Sequence, residues 1–327
     1  RMHARPEVGT DAAGETMLPV VDEKGKVAGL RYNEMQTGWQ ETPAGTDTGD
    51  AAGVAIDTTG GSTAAGDEIP SEMIVNGRTL DAKEAVARMI EAEMDSTYNT
   101  EALKAQTVAI YTYLKYRNTN WKITGVTLAD DYSEEVYNAV RAVFGEYLSF
   151  NGAPAFTPFF RLSAGRTAAC ETVFGTSYAY LRAADSISDR TEDGYLTQLI
   201  IPADEIRELV EAYDASITLG EETADWLEVT EHDGAVDTGT GYVHTIRVGD
   251  REISGREFVD VVMAGKNLPS VCFSVMYQSE TNEFLFEVYG IGYGVGMSQR
   301  GADRMAATGA EYTEILSRYY SGTQLTA

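Results

Sequence analysis

Phe284-Leu-Phe-Glu-Val-Tyr-Gly-Ile-Gly-Tyr-Gly-Val-Gly-Met-Ser-Gln299 changes its pattern twice in one short run. Phe284, Phe286 and Val288 alternate with Leu285, Glu287 and Tyr289, a period of two that predicts a strand with two distinct faces. Glycine then occupies every second position from Gly290 to Gly296, which bares one face of the chain and lets another backbone or a flat ligand come close. A helix is predicted over about 297–308, and another over 312–320 beyond Gly309. A phosphate-cradling loop fails on register, because no Gly-Lys-Ser/Thr follows and neither Gly290 nor Gly292 starts a Gly-x-Gly-x-x-Gly.

Further upstream the period is that of helices. Asp81 precedes Glu84 by three positions, a capping-box spacing, and Val86, Met89, Ile90 and Glu93 follow at helical intervals, predicting a helix over 82–94. Leu103, Thr107, Ile110 and Leu114 stripe a second helix to about Arg117, and Val136, Val140 and Val143 a third between Ser133 and Gly145. Tyr147–Phe150 and Ala155–Leu162 are expected as strands around an Asn151-Gly152 turn. Between 186 and 268 strands and helices mix, with a hairpin turn at Gly249-Asp250 and Ser254 with Glu257 capping a helix. Strands interspersed irregularly with helices define an α+β fold, mixed helices and antiparallel strands around a substrate groove. Residues 1–70, rich in Gly, Thr, Asp and Ala, have linker composition, with a weak hairpin at Leu18–Tyr32; 71–327 form the folded domain, with 186–268 as an inserted subdomain.

Composition excludes several functions. The 327 residues are 43% hydrophobic, ample for a core, and 51 Asp+Glu against 25 Lys+Arg leave a net charge of −26. That balance repels phosphate backbones, so nucleic acid is not an expected partner. No window reaches the roughly 18 apolar residues of a membrane-crossing helix, which places any anchor outside this sequence. Cys170 and Cys272 are too few for a disulfide framework; with His3, His232 and His244 they give metal chemistry little to draw on, and buried free thiols are favoured over a bridge.

Three places carry chemistry. Glu93 falls on the apolar stripe of the first helix, whereas Glu84 and Glu91 point elsewhere; a carboxyl held against protein is desolvated and kept neutral, as a general acid requires. The alternative places Glu93 past the helix end, solvated or paired with Lys104. Ser163-Ala-Gly165-Arg166-Thr167 turns tightly after a strand, but a nucleophilic Ser163 lacks a nearby histidine, the nearest in sequence being His232. The glycine run is the third.

Together, in this order, these segments resemble the stage II sporulation protein D (SpoIID) family over roughly residues 72–327. Glu93-Met94 with Glu101-Ala-Leu-Lys104-Ala-Gln106 is similar to its catalytic Glu-Met pair and following helix. Ser163–Thr167, Val173-Phe-Gly175 and Tyr180-Leu181-Arg182 resemble its serine-glycine segment, and Gly292–Ala302 with Tyr319-Tyr320 its closing block. The resemblance implies a peptidoglycan lytic transglycosylase with Glu93 as acid and base. Its substrate would be the β-1,4 bond between N-acetylmuramic acid and N-acetylglucosamine in strands stripped of stem peptides, and its product 1,6-anhydro ends. It implies substrate contacts from Ser163, Arg166, Tyr293, Gln299 and Lys104, sister cell-wall hydrolases as partners during engulfment, and an extracytoplasmic, membrane-anchored place between forespore and mother cell. Two motif histidines are replaced, by Phe160 and Tyr293, so no zinc and no cofactor is expected. That replacement keeps open a non-catalytic glycan-binding or amidase-enhancing homologue.

Overall fold

The computed structural model describes residues 69–117, 120–233 and 241–327, together with three backbone strands, Gly9–Thr10, Thr16–Val21 and Val27–Arg31. The last two pair antiparallel, Leu18 opposite Arg31, which is the hairpin expected there; the remainder of residues 1–68 lies outside the described residues. Among the described residues, eight helices and several mainly antiparallel sheets make the fold α+β. None of the described helices is long and apolar enough to cross a membrane.

The helical half is built around one helix that is buried over most of its length. α1 (Ala82–Glu91) starts where Asp81 accepts hydrogen bonds from the amides of Lys83 and Glu84, at 3.0 and 3.1 Å. α2 (Thr100–Arg117) is buried on nearly every side from Ala102 to Leu114, since α1, the helices Glu134–Val143, Gln299–Ala307 and Tyr312–Tyr319, and the strand Tyr147–Phe150 all pack on it. Two of its buried polar side chains bond to the helix's own backbone: the Thr107 and Thr112 hydroxyls donate to the carbonyls four residues earlier. α3 (Glu134–Val143) is capped by Ser133, whose amide and hydroxyl both donate to Glu91 Oε2, tying the start of α3 to the end of α1.

Asn151 and Gly152, both in the left-handed region, make the expected tight turn. The strand after it is shorter than predicted, only Ala153–Pro154, and Phe159–Phe160 forms a separate two-residue strand parallel to Met297–Ser298. The Ala155 amide still reaches the Leu148 carbonyl at 2.9 Å, but Pro158 has no N–H to donate and interrupts the predicted 155–162 strand before Phe159. The other edge of Tyr147–Phe150 pairs instead with Gln324–Thr326 near the C-terminus.

The β half holds two three-stranded antiparallel sheets. Glu283–Tyr289 is the centre of one, between Leu196–Pro202 and Phe273–Gln278, with Phe284, Phe286 and Val288 buried as their alternation predicts. The 186–268 segment is thus joined to the following strands through a shared sheet. Its second sheet comprises Leu227–His232, Val243–Val248 and Arg251–Ser254, turning at Gly249. α4 (Cys170–Phe174) and α5 (Ala203–Tyr213) cover the sheets, as does α6 (Gly255–Glu257), capped by Ser254 and continuing as a π-helical turn. α7 (Gln299–Ala307) and α8 (Tyr312–Tyr319) close the chain, close to their predicted limits. Cys170 and Cys272 are free, buried thiols; burial pushes Cys170 up to about 12.

Candidate active site

α1 ends about a turn earlier than its periodicity predicts. Glu91 is the last helical residue, Ala92 is the C-cap, and the amides of Glu93 and Met94 both bond back to the Ile90 carbonyl. Glu93 therefore stands on the turn leaving the helix, half-buried, with fully buried Met94 anchoring the chain beside it. The open alternative about its place resolves between the two readings: past the helix end, yet held by protein.

What holds it comes from the far end of the chain. The glycine run does not lie flat as a strand, because Gly290, Gly292, Gly294 and Gly296 all take positive φ and the chain weaves between neighbours. A Cβ on Gly296 would collide with the Pro158 carbonyl oxygen, and one on Gly294 with the Tyr242 ring, so backbone and an aromatic ring fill the bared face. The weave delivers Ser298 to the N-cap of α7, where its Oγ accepts the Gly301 amide at 3.1 Å. Gln299 follows, completely buried, and its Nε2 donates to Glu93 Oε2 at 2.9 Å. Its Oε1 has no hydrogen-bond partner among the described residues.

Behind Gln299 lies a buried carboxyl. Asp189 Oδ2 accepts from Ser163 Oγ (2.5 Å), Ser163 N (3.0 Å), Ser298 Oγ (2.7 Å) and Ser186 Oγ (3.1 Å). One group thus pins the serine-glycine segment, the turn before Leu196–Pro202 and the cap of α7. Burial pushes its carboxyl upward, against the hydrogen bonds that pull it down.

The predicted site residues separate on this geometry. Glu93 and Gln299 meet directly. Ser163 is one link behind, fully buried, its hydroxyl committed to Asp189. Tyr293 points away: its hydroxyl donates to Asp260 Oδ2 at 2.6 Å, and its ring lies under the Arg256 guanidinium and against Phe174. The Arg166 carbonyl accepts from the Tyr242 hydroxyl, and its charge acts on Asp233. Lys104 pairs with Glu101 at 2.6 Å, over the Tyr312 ring. Asp95 and Tyr98, just after Glu93, face Arg161 and Arg300. Sequence reading passed over these four and Asp189. Arg300 lies within the quoted closing block and Arg161 within the predicted 155–162 strand, whereas Asp189, one of several charged residues in a polar run, gives no pattern to read. No group of three or more His, Cys, Asp or Glu comes together to hold a metal ion among the described residues.

The molecule is a mixed α+β protein that brings one carboxylate, one amide and a buried serine-aspartate cluster together from three distant stretches. The family model described as stage II sporulation protein (SpoIID) matches residues 72–158, which include Glu93. Stage II sporulation protein D of Bacillus subtilis (strain 168) is 25% identical over 339 aligned residues, covering 95% of this chain and 90% of that protein. The same-named protein of Bacillus amyloliquefaciens is 24% identical over 74% of this chain and 73% of its own length. The amidase enhancer of Bacillus subtilis (strain 168) is 26% identical over 73% of this chain and 40% of that larger protein. The chain carries a SpoIID domain and is a homologue of stage II sporulation protein D.

Proposed function

We propose that the protein acts on bacterial cell wall during sporulation as a peptidoglycan lytic transglycosylase, outside the cytoplasm. In this reading residues 71–327 form the catalytic domain, 186–268 being an insertion within it, and 1–70 a linker or stalk to an anchor. The observation that carries it is the Gln299–Glu93 hydrogen bond, which fixes one carboxyl against a buried amide at the junction of the family's motifs. Because Gln299 donates to Oε2, the acidic proton of a neutral Glu93 falls to Oε1. Glu93 passes that proton to the glycosidic oxygen as the bond from C1 of N-acetylmuramic acid breaks through an oxocarbenium-like state. The sugar's own C6 hydroxyl bonds to C1, and the ionised Glu93 takes its proton, giving the 1,6-anhydro end and restoring the acid. One carboxylate serves both steps.

A second reading rests on the amidase-enhancer relative and on Tyr293, whose hydroxyl is engaged inside the protein: a glycan-binding homologue that retains the site without the reaction. Incubation with glycan strands lacking stem peptides, followed by mass spectrometry, separates the two. Anhydro ends from the wild type and none from Glu93→Gln support the enzyme. Binding by both without product supports the second reading, and new reducing ends would indicate ordinary hydrolysis by water.

A further inference from the structure

Two arginines, Arg161 and Arg300, act on Asp95 and Tyr98 in the segment that follows Glu93, on a chain whose net charge is −26. Arg300 directly follows the Gln299 that holds Glu93, and its backbone amide donates to the Arg161 carbonyl at 3.1 Å. The Arg300 guanidinium lies over the Tyr98 ring, 4.6 Å from its centroid. Charges around it are largely committed. Arg304 pairs with Glu192, which reaches Arg300 only at 4.0 Å; Asp303 accepts the backbone and side-chain amides of Asn99; Asp95 accepts the amide and hydroxyl of Thr97. Arg161 is exposed and makes no ion pair among the described residues. Asp95, two residues after Glu93, feels both guanidiniums, and the Arg300–Arg161 backbone bond keeps the two residues adjacent.

A neutral sugar has no use for such a pair. N-acetylmuramic acid differs from N-acetylglucosamine by a lactyl ether that ends in a carboxylate, and a stem peptide caps that carboxylate as an amide. We infer that Arg161 and Arg300 form an anion subsite beside Glu93 that takes the free lactyl carboxylate of an N-acetylmuramic acid residue. Planar guanidinium forks match a carboxylate, and Arg300, stacked on Tyr98, is already ordered for it. The inference rests on the glycan-cleaving reading of the site and adds to it a reason why stripped strands would be preferred.

The test is binding of the full chain at low ionic strength to three glycans of equal length: an N-acetylglucosamine oligomer, a stripped alternating strand, and an alternating strand bearing stem peptides. The expected result is about tenfold tighter binding of the stripped strand than of either other glycan. In Arg161→Gln that preference falls toward one while binding of the N-acetylglucosamine oligomer is unchanged, and Arg161→Lys retains part of it. Glycan binding whose preference ignores Arg161, or equal binding of the peptide-bearing strand, overturns the subsite and leaves the glycan reading standing. Failure to bind any of the three overturns both.

Discussion

Gln299 Nε2 and Glu93 Oε2 are 2.9 Å apart although 206 positions separate the two residues. Glu93 is only half-buried and sits on a turn, where a carboxyl on its own would sample several rotamers. Gln299 is immobilised at the first position of α7 by the Ser298 cap, so it confers its own order on Glu93.

Shortening that amide should disable the site without unfolding it. Gln299→Ala is expected to lower the rate of anhydro-end release about a hundredfold through misplacement of the acid. KM should change little and the product should stay the same. A variant as active as wild type, by quantified product release, would remove the positioning role.

Asp189 should show itself in stability as well as activity. Asp189→Ala strands three serine hydroxyls that now donate to one carboxyl, at an expected cost of about 3 kcal/mol in denaturant unfolding. The pH dependence has a definite sign. A folded-state pKa raised by burial means the folded protein takes up the proton first, so this group's stabilisation is complete below the usual aspartate value. It is lost as pH rises through the folded-state pKa. Relative to Asp189→Asn, the wild type should therefore gain stability as pH falls through that window, and a parallel pair of curves would contradict it.

Tyr293→Phe separates a structural hydroxyl from a substrate contact. Loss of the hydrogen bond to Asp260 should cost roughly 1.5–3 kcal/mol in chemical denaturation. The folded variant should keep wild-type turnover. A large loss of kcat with stability unchanged would return Tyr293 to the site.

Burial makes the two thiols inert. With Cys170 raised to about 12 and Cys272 raised still further by complete burial, neither should react with an aromatic disulfide reagent at pH 8 in native protein. Both should react after unfolding. A fast-reacting native thiol would show that one of them is accessible as thiolate.

Gly296→Ala tests the weave of the glycine run. Gly296 holds φ +86° against the Pro158 carbonyl, so a methyl group there adds backbone strain to a collision. Unfolding free energy should drop by about 2 kcal/mol or more, and with it the placement of Ser298 and Gln299.

Local signals in the sequence determined most of the elements. Asp81, Ser133 and Ser254 cap helices, Asn151-Gly152 turns a hairpin, and the Phe284–Tyr289 alternation is a strand, because caps, turns and periods act over a few bonds. They failed where distant neighbours decide. Pro158 interrupted the predicted 155–162 strand, and α1 unwound before Glu93. The glycine run, read as a flattened strand, instead weaves in the left-handed region to fit Pro158 and Tyr242. Tertiary structure alone decided which polar residues meet. Gln299 reaches Glu93, Ser163 is drawn inward by Asp189 and Tyr293 by Asp260, since a buried carboxylate must collect donors from wherever the packed chain brings them. No spacing along the sequence records such a requirement.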